Sequence, residues 1–347
     1  MSMKAKILEL LREKKDRVAA GAPESEAYVS GQELCEQFGV SRTAVWKAIG
    51  QLKKEGYVIE AVQNRGYRLL DQTEEVYNQA DIQSRLKTKW VAHPLQFFDS
   101  IDSTNIRAKL EAEQGAESGL LVVSDMQSAG RGRRGRSWES PAGTNIYYTL
   151  MLKPDFSSDC APMLTLVMAL AVAKGIRQTL RRDSEEAAAK VGIKWPNDIV
   201  VDGKKVCGIL TEMSMEQGYI QHIVIGVGIN VRKQEFPEEI RDRAAAIDEQ
   251  CGFRISRSQL IADIMEAFEE DYEIFLRTHD LKGLRASYAE LLVNQDREVC
   301  VLDPKGEYRG IARGINDQGE LLVERQDGTV EEVYAGEVSV RGIYGYV

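Results

Sequence analysis

The chain has 347 residues, 43% of them hydrophobic, and a net charge of −9, enough to bury a large core in two or three domains and unlike a disordered or fibrous chain. Five cysteines (Cys35, Cys160, Cys207, Cys251, Cys300) form no CxxC pair and three histidines (His93, His222, His279) share no metal-ligand spacing, so free thiols and no structural zinc are expected. No apolar run approaches the roughly twenty residues of a membrane span, and MSMKAKILELLREKK reads as an amphipathic helix without a signal-peptide core, which predicts a cytoplasmic protein with no membrane partner. The charge is uneven: residues 1–70 carry +3 and the rest −12, so only the N-terminal module is expected to touch nucleic acid.

In chain order, Ile7, Leu8, Leu10 and Leu11 predict a first amphipathic helix. Ser30-Gly31-Gln32-Glu33 forms a capping box, Ser to the N3 amide and Glu back to the cap, starting a second helix that stops at Gly39. Ser41 caps a third, in which Val45, Trp46, Ile49 and Leu52 keep helical spacing until Gly56. Tyr57 to Val62 and Tyr67 to Leu70 then read as strands around Gln63-Asn64-Arg65-Gly66, completing a winged helix-turn-helix. In that geometry Ser41, Arg42, Thr43 and Lys47 face the major groove, Arg65 reaches DNA from the wing, and Val45, Trp46 and Ile49 face the core. A winged helix used for protein contacts is the plainer alternative.

From about 80 to 275 strands alternate with helices, which argues for an α/β or α+β domain. Its most informative stretch is Gly130 to Trp138, GRGRRGRSW, between the apolar runs Leu120 to Val123 and Asn145 to Leu152. Glycines let backbone fold round a ligand while guanidinium forks grip paired oxygens, so the stretch predicts a polyphosphate site rather than a solvated basic loop. It also satisfies G-x-G-x-x-G, but a dinucleotide fingerprint needs a helix opening at the third glycine, and Pro141 and Gly143 stand where that helix would run. Side-chain arginines must therefore replace helix amides.

Polar residues gather at other strand and helix ends: Asp102-Ser103-Thr104-Asn105, Gln127, Lys194-Trp195-Pro196-Asn197-Asp198, Lys204-Lys205 and Gly226-Val227-Gly228-Ile229-Asn230. Singly, each has a plain reading: Ser103 as an N-cap, Asn197-Asp198 as a turn, Lys205 as a hairpin tip, Gly228 as a packing site. A long apolar helix spans Cys160 to Leu180, a hairpin turns at Asp202-Gly203, helices fill about 257 to 292, and short strands from Glu298 onward imply a small barrel.

The series STN, QSAGRGRRGRSW, KWPNDI, GKKVCGIL and GVGIN, with SGQELCEQFGVSRTAVWKAI before it and AGEVSV after it, resembles the bacterial biotin-protein ligases that double as biotin operon repressors, over nearly the whole chain. The resemblance implies an α+β chain: a winged helix-turn-helix over 1–70, a mixed α/β ligase domain of class II synthetase type over 80–293, and an SH3-like barrel over 294–347. It implies a biotin-[acetyl-CoA-carboxylase] ligase that uses ATP and Mg²⁺, forms biotinyl-5′-AMP, and transfers biotin to a lysine of a biotin carboxyl carrier domain of acetyl-CoA or pyruvate carboxylase. The adenylate-bound form would dimerise on operator DNA.

On matching positions, Arg131, Arg133 and Lys205 would be catalytic. Ser103, Thr104, Asn105, Gln127 and Gly132 would join these three in holding biotin, since hydroxyl and amide groups both donate and accept. Lys194, Asn197 and Asn230 would join Arg131 and Arg133 around ATP, and Asp198 would hold Mg²⁺, a hard cation wanting oxygen ligands. Ser137 stands where some relatives carry Lys. Residues 231–255 match least and receive no role. Two alternatives stay open: a lipoate-protein ligase-like adenylating enzyme, and a ligand-sensing repressor without ligase activity.

Overall fold

Ile7, Leu8 and Leu11 line one buried face of helix α1 (Met3–Ala19), and around that face the N-terminal residues assemble. The computed structural model describes residues 1–72, 74–303, 306–334 and 339–342, which divide into a first unit, Met1–Leu86, and a second, Lys87–Val347.

In the first unit α2 (Gly31–Phe38) begins where Ser30 Oγ accepts from the Glu33 amide at 3.0 Å. It ends at Gly39, whose φ of 65° is the left-handed C-terminal conformation glycine adopts without strain. The Glu33 carboxylate lies 3.6 Å from Lys14. Helix α3 (Arg42–Lys54) is capped by Ser41 and buries Val45, Ala48, Ile49 and Leu52, positions i, i+3, i+4 and i+7 of a single stripe. Trp46, expected in the core, is 68% exposed: one residue on from Val45 rotates the side chain about 100° off that stripe. Strands β1 (Ile59–Val62) and β2 (Gly66–Leu69) pair antiparallel around a turn in which Asn64 has φ 62°. Gly66 has no substitute there, since a Cβ would sit 2.1 Å from the Val29 carbonyl.

The first unit runs past residue 70 because α4 (Gln79–Gln83) belongs to it. Buried Asp81 is ion-paired to Arg12 of α1 and accepts from the Tyr57 hydroxyl at 3.2 Å. Breaking so buried a pair would strand an uncompensated charge, so α4 is fixed to this unit.

The second unit is built on a seven-stranded sheet in the order β3-β4-β5-β9-β8-β7-β6. Its elements in sequence are β3 (Leu95–Phe98), α5 (Thr104–Glu113), β4 (Leu121–Ser124), β5 (Ile146–Leu152), α6 (Met163–Arg181), α7 (Glu185–Ala189), β6 (Val191–Lys194), β7 (Asp198–Val201), β8 (Lys204–Glu216) and β9 (Tyr219–Ile229). Strands β3 and β4 run parallel and the other neighbours antiparallel, so the sheet is mixed.

Alternation along β8 and β9 assigns the two faces. Glu212 and Val224 pair and meet α5; Thr211 and Ile225 pair and face α6, where Thr165 and Thr211 bond at 2.8 Å. By length and composition the segment Ser158–Arg181 is long and apolar enough to cross a membrane, although Asp159, Lys174, Arg177 and Arg181 interrupt its apolar run. Its place is the core, most of it buried, with α6 crossing α9 (Arg257–Phe275) so closely that a Cβ at Gly175 would lie 2.5 Å from Ile264.

Helix α8 (Ile247–Cys251) precedes α9, and α10 (Arg285–Leu291) follows it. The remaining strands, β10 (Glu298–Asp303), β11 (Gly306–Ile315), β12 (Leu321–Glu324), β13 (Val330–Val333) and β14 (Ser339–Gly342), form an antiparallel sheet ordered β13-β12-β11-β10-β14. Among the described residues no bridge joins β13 to β14, so the expected barrel is described as a sheet. Residues 335–338 of the AGEVSV motif lie outside the described residues. This sheet lies within the second unit, and Trp195 is buried against its loops. Its indole Nε1 donates to the Gly319 carbonyl at 2.9 Å and its amide to Asn294 Oδ1 at 3.0 Å.

Candidate active site

The α5 face of the sheet is bare where β8 meets β9. Gly208 pairs with Gly228 and Leu210 with Gly226, so three glycines point the same way and leave a shallow floor. Trp138 lies across it, since a Cβ at Gly228 would approach the indole to 2.5 Å and one at Gly208 to 2.9 Å. A Cβ at Gly226 would strike Asn105 Oδ1 at 2.1 Å. The GVGIN glycines thus serve packing, as the plain reading held, and in doing so open a cavity of about 300 Å³.

Around this cavity stand Ser103, Thr104, Asn105, Gln127, Arg131, Gly132, Arg133, Asn197, Asp198, Lys205 and Asn230, eleven of the twelve positions singled out for it from the sequence. The twelfth, Lys194, does not line it: β6 is buried along its whole length, and Lys194 is 5% exposed.

The polar groups at the start of α5 are held as a set. Thr104 donates its amide and hydroxyl to Gln127 Oε1 at 2.9 and 3.1 Å, while Thr149 Oγ1 lies 2.8 Å from Thr104 Oγ1 and donates to Asn105 Oδ1 at 2.6 Å. Asn105 in turn donates to Glu212 at 2.7 Å. Burial pushes the Glu212 carboxyl up, but bonds from Lys109 and Asn105 outweigh it and hold the group below its ordinary value. Ser103 occupies the N-cap position yet makes no side-chain cap bond, so its buried hydroxyl remains with the cavity rather than the helix.

The arginine loop is a folded hairpin and opens no α-helix. Gly132 donates to the Arg136 carbonyl at 2.7 Å, Arg131 bridges Ser137, and Arg134 and Gly135 take left-handed φ values of 59° and 69°. Arg133 Nη1 reaches out of it to Asn197 Oδ1 at 2.7 Å. Burial draws its guanidinium below the usual arginine value while Asp198 opposes the shift. Lys205 Nζ is 2.6 Å from Asp198 Oδ1 and 5.6 Å from the centre of the Trp138 ring. Arginine, lysine and carboxylate therefore meet at one wall, where an anionic ligand would find matched donors.

Trp138, Glu212, Thr149 and the segment around Arg243 complete the site without having been assigned to it. Trp138 was legible inside GRGRRGRSW, and its buried Nε1 has no hydrogen-bond partner among the described residues. Arg243 comes from the stretch left without a role, where no motif signals it. The chain is brought over β8 by backbone alone, Lys205 donating to the Arg243 carbonyl at 2.7 Å and accepting from the Ala245 amide at 2.9 Å.

In the N-terminal unit Ser41, Arg42, Thr43, Lys47 and Arg65 are all exposed. Ser41 Oγ is engaged as the cap of α3, Arg42 donates to Gln32 at 3.0 Å, and Arg65 lies 5.7 Å from the Tyr28 ring.

Residues 97–230 match the Biotin/lipoate A/B protein ligase family, residues 24–68 an HTH domain, and residues 296–341 the Biotin protein ligase C terminal domain. The Bifunctional ligase/repressor BirA of Bacillus subtilis strain 168 is 36% identical over 94% of this chain and 98% of its own. That of Escherichia coli strain K12 is 32% identical over 90% and 92%. The solved biotin protein ligase from Aquifex aeolicus in complex with biotin and ATP is 28% identical, covers 72% of this chain and 98% of that one, and superposes with a TM-score of 0.60. With its helix-turn-helix, ligase and C-terminal segments all matched end to end, the chain belongs to the family of bifunctional biotin-protein ligases and repressors.

Proposed function

We propose that the protein joins biotin to ATP, transfers the biotinyl group to a lysine of a biotin carboxyl carrier domain, and in its adenylate-bound form represses biotin genes by binding operator DNA. The observation that carries the ligase half is a single cavity lined both by the neutral donors and acceptors of Ser103, Thr104, Asn105 and Gln127 and by the cations Arg131, Arg133 and Lys205. The first group suits a ring of amide character, the second a polyphosphate.

In the first step a biotin carboxylate oxygen attacks the α-phosphorus and pyrophosphate leaves. An anion approaches a polyanion, so Arg131, Arg133 and Lys205 offset repulsion and the charge that builds on the phosphorus oxygens. Asn197 and Asn230 bind the nucleotide. In the second step the carrier amine attacks the acyl carbon, AMP leaves, and the amine gives up a proton. Asp198 is the carboxylate among the lining residues, and no cluster of three potential metal ligands occurs among the described residues. One carboxylate together with substrate phosphates is an ordinary setting for Mg²⁺, which would neutralise polyphosphate charge there.

The regulatory half rests on the exposed basic helix α3 and wing, with Ser41, Arg42, Thr43, Lys47 and Arg65 toward DNA. We assign DNA binding to the N-terminal module, ligation to the central region, and homodimers to the adenylate-bound form on an inverted repeat, in the cytoplasm. Incubation with biotin, MgATP and a carrier domain, read by mass, should add one biotinyl group, and pyrophosphate should appear without carrier. Transfer of lipoate in place of biotin, or no transfer at all, would overturn the ligase assignment.

A further inference from the structure

Trp46 is a large apolar side chain left in solvent on a short helix, at 68% exposure. We propose that Trp46 is a sequence-reading residue, its indole packing against thymine C5-methyl groups in the major groove. This rests on the DNA-binding reading given above.

Two features fix the class of partner. Helix α3 carries Arg42, Lys47, Lys53 and Lys54 and no acidic residue. Arg42 donates to neutral Gln32, and among the described residues the three lysines pair with no carboxylate. An aromatic ring set among unneutralised cations fits a polyanion, whereas an apolar protein surface would have to bury those charges unpaired. Trp46 also shares its side of the helix with Arg42 and Thr43, a turn before it, and with Gly50, a turn after it. A Cβ at Gly50 would meet nothing within 4 Å, so the helix surface beside the ring is open to a base edge.

The chemistry separates Trp46 from its neighbours. A neutral ring displaces no counterion and cannot supply the salt-dependent part of binding, which falls to Arg42 and Lys47. What an exposed aromatic can add is apolar contact with the thymine methyl, a group that distinguishes A·T from the other pairs in the major groove.

The test uses the full chain with biotin and MgATP and two probes: a duplex enriched by the parental protein from a random library, and a scrambled duplex of equal composition. Trp46→Ala should bind the enriched duplex roughly tenfold to a hundredfold more weakly, keep the parental salt slope, and bind the scrambled duplex unchanged. Replacing thymines of the enriched duplex by uracil one at a time should weaken parental binding at one or more positions at which Trp46→Ala is indifferent. Equal losses on both duplexes, unchanged affinity, or a parental protein insensitive to every uracil overturns the proposal, and the last needs no variant to fold. A parental protein that enriches no duplex overturns the DNA reading itself, and this one with it.

Discussion

Arg133 of the glycine-rich loop and Asn197 of the turn before β7 are joined by a 2.7 Å hydrogen bond, though 64 positions apart in the chain. The bond ties a loop built of glycine and arginine to a turn whose own position is set by buried Trp195. Arg133→Ala should therefore abolish adenylate formation while leaving the fold intact, because the guanidinium contacts the site and not the core. A charge-assisted contact of this kind contributes ~1.5–3 kcal/mol, more where charge develops in the transition state. Near-normal pyrophosphate exchange by folded Arg133→Ala would remove the arginine loop from the mechanism.

Lys205→Gln keeps a polar side chain one atom shorter and deletes the charge beside Asp198. Removing ~3 kcal/mol of transition-state stabilisation slows adenylation by roughly two orders of magnitude. Single-turnover rates at saturating biotin give the answer; an unchanged maximal rate with only a raised biotin requirement would reduce Lys205 to a binding group.

Gly226→Ala tests the floor of the cavity. Its new Cβ would come within 2.1 Å of Asn105 Oδ1, so Asn105 must move and the bonds to Thr149 and Glu212 are disturbed. Overpacking of this sort destabilises by about 1–3 kcal/mol. We expect a lowered melting temperature and a biotin KM raised at least several-fold, measured together; parental values of both would show that Asn105 does not depend on this glycine.

Arg42→Ala with Lys47→Ala should destroy operator binding and spare biotin transfer, since both residues lie on α3 and neither lines the cavity. Each lost phosphate contact flattens the log–log salt dependence by about one unit. Gel-shift titrations at several salt concentrations, with biotin and ATP saturating, should show this, and a parental salt slope in the double variant would contradict it.

His222 supplies the pH dependence. Burial, opposed by Glu113 and reinforced by Lys109 and Lys153, holds its imidazole below the ordinary 6.5, and its Nε2 has no hydrogen-bond partner among the described residues. As pH falls through that value the unfolded chain takes up a proton that the folded chain declines, so stability drops below about pH 6.5. His222→Leu should shrink the difference in urea midpoint between pH 7.5 and 5.5. If the variant keeps the whole difference, other groups govern acid sensitivity.

The helix-turn-helix, the arginine loop and the glycine pair of GVGIN were legible because each follows from a local rule: a cap, a turn, or a period of two along a strand. What escaped depends on contacts distant in sequence. Trp46 was placed in the core from its neighbours' spacing, although it lies outside the stripe that Val45, Ile49 and Leu52 define. No local feature announces that Asp81 pairs with Arg12 and so carries the first unit to Leu86. Nor does any signal put Arg243 at the cavity, since backbone hydrogen bonding, blind to side-chain type, brings it there. Lys194 differs from its neighbours for the opposite reason: its charge suggested a place on the cavity wall, while burial along β6 sets it away from the lining.

The turn bearing Asn197 and Asp198 hangs from the C-terminal sheet region by two bonds, Trp195 Nε1 to the Gly319 carbonyl and the Trp195 amide to Asn294. Damage at Asn294 or Gly319 would shift Asn197 and Asp198 without touching them. In a genetic screen, alleles mapping to that remote sheet would be scored as defects in nucleotide use.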